Sequence, residues 1–177
     1  SLAHAFGARS CQVRELRRRP GYVQLVVGRR DPLADIVPAL PGATTVDLTA
    51  VPIGRREDGG PWTVRMLGSH TLIAGATGAG KGSVLWSLIR ALASLVREGL
   101  VDLWVLDPKG GMELTCGAPM FARFEADDYE AMAELLEEAV AVMVDRQHRL
   151  RGHTRQHTPT ADEALIVIVI DEMASLT

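Results

Sequence analysis

The sequence predicts an α/β fold built on a parallel sheet. Three observations carry that prediction. Short apolar runs at His70–Ala74, Val101–Leu106 and Leu165–Ile170 alternate with two longer segments of helical periodicity. A glycine-rich turn joins the first run to the first helix. The last run, LIVIVI, is the continuous Ile/Val pattern of a strand covered on both faces. The chain has 177 residues, 47 % apolar and 23 % charged, which is one ordinary globular domain's worth. That balance excludes a disordered tail, a collagen-like repeat and a disulfide miniprotein. The longest apolar run, Ala164–Ile170, is too short to cross a bilayer as a helix, which needs about 20 residues. The first residues show no charged-then-apolar pattern of a signal segment.

In chain order, residues 9–19 predict a short helix or basic arm, stopped by Pro20. Tyr22–Val27 reads as a strand. Residues 31–60 are rich in Pro, Gly and Asp and read as turns and connections. Asp58-Gly59 predicts a hairpin between Thr49–Ile53 and Trp62–Met66. A boundary near residue 45 divides a basic accessory region, 1–45, from the main domain, 46–177. His70–Ala74 is the first strand of that domain. Ser83–Glu98 is its first helix, with Val84, Leu85, Leu88, Ile89, Leu92 and Leu95 at helical spacing and Gly99 as the stop. Val101–Leu106 is the second strand. Asp127–Arg151 is the second helix, with Asp127 and Glu130 at capping-box spacing and Gly152 closing it. Its apolar stripe is Met132, Leu135, Leu136, Ala139, Met143 and Val144. Leu165–Ile170 is the third strand.

Net charge is −3, yet residues 1–60 carry nine basic and six acidic groups. The excess comes from Arg9, Arg14, Arg17, Arg18, Arg19, Arg29 and Arg30 against Glu15. Such a stretch can hold nucleic-acid phosphates or anionic lipid, or it is a solvated face without aromatic partners. Cys11 and Cys116 lie far apart and are expected as free thiols. His148, His153 and His157 match no zinc spacing and are expected as solvated side chains. Trp62, Trp86 and Trp104 are expected to pack.

Residues 75–81, Gly75-Ala76-Thr77-Gly78-Ala79-Gly80-Lys81, fit the Walker A pattern between a strand and a helix. Glycines at 75, 78 and 80 are expected at positive φ, so that backbone N–H groups converge on a polyphosphate. The helix N-terminus adds positive potential, and Lys81 adds a full charge. The plain alternative is a glycine turn with an exposed lysine. The pattern breaks at Gly82, where a Ser or Thr hydroxyl normally reaches Mg²⁺. Ser83 carries a hydroxyl one residue later, about 100° around the helix, where it can meet a phosphate but not fill the same ligand position. Asp171-Glu172 follow the third strand as a Walker B pair, Asp171 for Mg²⁺ and Glu172 to activate water. Asp107 and Lys109, in the turn DPKGG after the second strand, should emerge on the same sheet edge.

The blocks GATGAGKGS, LDPKGGMEL and IVIVIDEMASL together resemble the FtsK/SpoIIIE group of RecA-like motor ATPases. The likeness covers about residues 50–177. VPIGRREDGGPW is similar to actinomycete plasmid-transfer proteins of the Tra type, and FGARSCQVRELRRRPG and RRDPLAD point the same way. The resemblance implies a RecA-like P-loop core using ATP and Mg²⁺, with residues 75–83 on the nucleotide, Asp171 on the metal, and Glu172 and Lys81 catalytic. It implies double-stranded DNA as cargo, in conjugative plasmid transfer or chromosome segregation, a homo-oligomeric, hexameric ring, and a cytoplasmic position at the inner face of the membrane, anchored by a segment outside these residues. It also implies further strands after the acidic pair, so the 177 residues are expected to be an incomplete core from a longer protein, inactive alone. Two other functions fit the same residues: a type VII secretion ATPase that moves proteins, and a nucleotide-binding module without turnover.

Overall fold

The computed structural model describes residues 2–16, 19–30 and 36–176. The chain divides into two compact units, Ser1–Pro38 and Ala39–Thr177. In the first, a one-turn helix α1 (Leu2–Ala5) precedes an antiparallel hairpin of β1 (Ser10–Glu15) and β2 (Val23–Gly28). Pairing runs without a slip from Ser10↔Gly28 to Glu15↔Val23. In place of the helix or arm expected over 9–19, Ser10–Glu15 is therefore a strand. Cys11 and Val13 alternate with Gln12 and Arg14, a period of two that finds a partner in the neighbouring YVQLVV run. Arg17 and Arg18 of the basic stretch lie outside the described residues, as do residues 31–35. No described residue of this unit is buried.

The second unit opens with the hairpin expected at Asp58-Gly59, formed by β3 (Val51–Arg55) and β4 (Pro61–Val64). Its register shifts between Pro52 and Gly54. Half-exposed Trp62 lies across Gly54, where any side chain would press on the indole. Then come α2 (Lys81–Arg97), β5 (Val101–Leu106), β6 (Arg123–Glu125), α3 (Tyr129–Leu150) and β7 (Leu165–Ile170). The three strands form a parallel sheet in the order β6-β5-β7. β6 is a three-residue segment, RFE, with no apolar pattern to mark it in the sequence.

Alternation along β5 builds two cores. Val101, Leu103 and Val105 face α2 and β3, joining Val51, Ile53, Leu85, Leu88, Ile89, Leu92 and Leu95. Trp104 and Leu106 face α3, joining Met132 and Leu135. Helices thus cover both faces of the central strand.

Several expectations need correction. His70–Ala74 forms no ladder, and Leu72 is 84 % exposed. A strand exists only by pairing, and among the described residues this apolar run has no partner, so it stays outside the sheet. α2 begins at Lys81 rather than Ser83, because Gly80 at φ 91° serves as its N-cap and the first turn leaves the loop directly. Its C-terminus closes as expected at Gly99, with Gly99 N–H donating to Val96 O (3.1 Å) and Leu100 N–H to Leu95 O (2.9 Å). α3 is capped by Asp128, not Asp127. The Asp128 side chain accepts from Glu130 N–H (2.8 Å) and Ala131 N–H (3.3 Å). β7 is covered incompletely on its α3 side, where Ile166 and Ile170 pack against the second core but Ile168 does not. Ile168 is 40 % exposed at a hollow of about 790 Å³, bordered by Leu136, Ala139, Val140 and Met143, because the second half of α3 does not close over it. No helix among the described residues is long and apolar enough to cross a membrane.

Candidate functional site

The glycine loop, residues 75–80, is exposed and runs straight into α2. Gly78 (φ 77°) and Gly80 (φ 91°) take the left-handed backbone the sequence predicts; Gly75 does not. Gly75 is there for closeness instead, since a Cβ would stand 3.3 Å from the Ala79 methyl and 3.7 Å from Lys81 Cγ. Lys81 folds back over the loop, its Nζ donating to Gly75 O (3.0 Å) and Ala76 O (3.4 Å). Ala76, Thr77 and Ala79 complete the exposed rim, and Ser83 is exposed on the first turn of α2.

The DPKGG turn is organised from within. Asp107 is fully buried. Its carboxylate accepts from Lys109 N–H (3.4 Å), Glu113 N–H (3.0 Å) and Leu114 N–H (2.9 Å). Gly110 and Gly111 both take positive φ (69° and 72°), which tightens the turn under that carboxylate. Asp107, expected beside the nucleotide, is thus committed to the turn. Lys109 is the residue the turn presents: its Nζ donates to Glu172 Oε2 at 3.0 Å.

Asp171 and Glu172 leave β7 beside this turn, with Asp171 N–H donating to Leu106 O (3.1 Å). Their environments push them apart. Burial raises the Asp171 carboxyl above its ordinary range; Asp107, Glu113 and Glu172 add to the rise and Lys109 opposes it. The hydrogen bond from Lys109 holds Glu172 below the usual glutamate value, helped by the charges of Lys109 and Lys81. The same bond raises Lys109. Loop, turn and acidic pair therefore meet at one edge of the sheet. The carboxyl groups of Glu113, Asp171 and Glu172 and the ammonium groups of Lys81 and Lys109 gather there, with Asp107 buried beneath them. No three metal-binding side chains stand ready to hold an ion by themselves among the described residues. Carboxylate oxygens are the donor type a hard cation such as Mg²⁺ would take, with phosphate oxygens and water as its other ligands.

Glu113 is the residue that sequence reasoning passed over. It lies in the quoted block LDPKGGMEL, but nothing in its local pattern distinguishes it from a solvated glutamate. The available signal was the departure at Gly82, which leaves room beside the loop. Trp86, expected only to pack, also donates its Nε1–H to Glu113 O (3.3 Å). Of the histidines, His148 and His153 are exposed, while His157 is half-buried with Nε2 3.1 Å from Glu163 O, so it is not the solvated side chain expected. Cys11 and Cys116 are free thiols.

The model of the FtsK/SpoIIIE family matches residues 31–176. No curated protein and no solved structure matches the chain.

Proposed function

The chain belongs to the FtsK/SpoIIIE family, a P-loop NTPase family of ATP-driven DNA translocases, and from that premise we propose that residues 39–177 carry the nucleotide site of a motor acting on double-stranded DNA. The fold agrees, being mixed α/β with a three-stranded parallel sheet of the RecA-like P-loop kind. The single observation that carries the reading is the convergence at the sheet edge, where Lys109 of the turn bonds Glu172 of the acidic pair while Lys81 of the loop acts on the same carboxylate.

In this reading the loop amides of residues 75–83 and Lys81 bind the phosphates of ATP. Asp171, with its surplus of neighbouring negative charge, holds Mg²⁺. The bound metal supplies charge neutralisation and orients the phosphates. Glu172 takes the proton of the attacking water. The motor works as a homo-oligomeric ring, proposed as a hexamer, on the cytoplasmic side of the membrane, anchored by a segment outside these residues. Conjugative plasmid transfer is the proposed setting, supported by the likeness of Val51–Trp62 and residues 6–21 to plasmid-transfer proteins.

The test is Glu172→Gln in the full-length protein. ATP binding should persist while DNA-stimulated hydrolysis falls by about two orders of magnitude or more, the scale of a positioned base. Undiminished hydrolysis would remove Glu172 from the role of base.

A further inference from the structure

A Walker loop normally places a hydroxyl directly after its lysine, and here that position is Gly82. The space is not open. A Cβ built on Gly82 lands on the Glu113 carboxylate, within 2.8 Å of Glu113 Cδ. The oxygen of another segment thus stands where the side chain of residue 82 would begin.

Glu113 is delivered there from both sides of its backbone. Its N–H donates to buried Asp107 (3.0 Å), and its C=O accepts from Trp86 Nε1 (3.3 Å). Trp86 and Gly82 are one turn apart on α2, so a single face of that helix both leaves the gap and fixes the residue that fills it. The next residue, Leu114, is fully buried and also bonded to Asp107, which keeps the segment from sliding. Among the described residues, nothing donates a hydrogen bond or ion pair to the Glu113 carboxylate itself. The charge of the Glu113 carboxylate also adds to the rise of Asp171.

We propose that Glu113 stands in for the hydroxyl that Gly82 lacks, its carboxylate supplying an oxygen ligand to the divalent cation of the bound nucleotide. The inference rests on the nucleotide reading of the loop. A carboxylate is a stronger ligand for a hard cation than a neutral hydroxyl. It also repels phosphates when no cation lies between them. The two effects have opposite signs, and the experiment uses that.

Binding of a fluorescent, non-hydrolysable ATP analogue to the full-length protein is titrated in Mg²⁺ and in EDTA. Glu113→Gln should weaken binding in Mg²⁺ by about tenfold or more, the scale of lost metal-site partners, and leave binding in EDTA unchanged or tighter. Glu113→Ala should behave likewise, and Gly82→Ser added to Glu113→Ala should recover part of the Mg²⁺ effect, because a hydroxyl then returns to the vacated space. Equal weakening in both conditions means that Glu113 only supports the fold, and overturns the proposal. So does an unchanged Mg²⁺ effect in Glu113→Gln, or no recovery in the double variant. A wild-type protein that binds no analogue in either condition overturns the nucleotide reading, and this inference with it.

Discussion

Lys109 and Glu172 are 63 positions apart, yet the ammonium of one is bonded to the carboxylate of the other. A carboxylate in that state is a weaker base than a free one, but it remains ionised to lower pH. Removing the ammonium therefore has a definite sign. In Lys109→Met, the Glu172 carboxyl rises back toward the ordinary glutamate value, so hydrolysis should fail at a higher pH as acid is added. The check is the acid limb of the kcat–pH profile for the full-length protein; a limb that does not move means the rate is not reporting Glu172. Lys109 is exposed and Glu172 partly so, a surface ion pair, so melting should hardly change. At this scale the sequence was legible where chemistry is local. Lys81, Asp171 and Glu172 each sit in a contiguous pattern that places them on the fold. The Lys109–Glu172 bond and the approach of Glu113 to Gly82 depend on distant segments meeting, and no window of sequence contains both partners.

Elements were legible in proportion to their length and period. α2 and α3 repeat their apolar residues over several turns, β7 is an unbroken apolar run and β5 is interrupted only by Asp102, so their existence could be read directly. β6 has three residues and owes its place to pairing with β5. β1 is a strand despite Arg14 and Glu15 because β2 offers a register, whereas His70–Ala74 has strand composition and, among the described residues, no partner. Ends depend on single hydrogen bonds and shift by a residue or two. Asp128 shows this: its neighbour Asp127 has the capping-box spacing, but the bonds to Glu130 N–H and Ala131 N–H come from Asp128. Asp128→Ala should cost about 1 kcal/mol, lowering Tm by about 2–4 °C for a chain of this size. Asp127→Ala should cost far less. Thermal melting of the two variants side by side decides which residue is the cap.

Across the whole molecule, one strand organises both cores and the site. β5 buries Leu103 and Val105 toward α2 and Trp104 and Leu106 toward α3, then ends in Asp107. Its pairing with β7 is parallel and in register from Val101↔Leu165 to Leu106↔Ile170. The carboxylates of Asp107 and Asp171 consequently leave adjacent strands at the same level. Length can be added to this chain in some places and not in others. Residues 152–158 run exposed between α3 and β7 except for half-buried His157, and doubling a flexible loop costs only about 0.6 kcal/mol. Three glycines inserted after Gly152 should leave melting and nucleotide binding nearly unchanged. One residue inserted between Val167 and Ile168 turns every later side chain of the strand to the opposite face and draws Asp171 away from Asp107. That variant should lose nucleotide binding and its cooperative melt together. Diverging relatives should accordingly be elastic in the distance from Lys81 to Leu165 and inelastic in the six steps from Leu165 to Asp171.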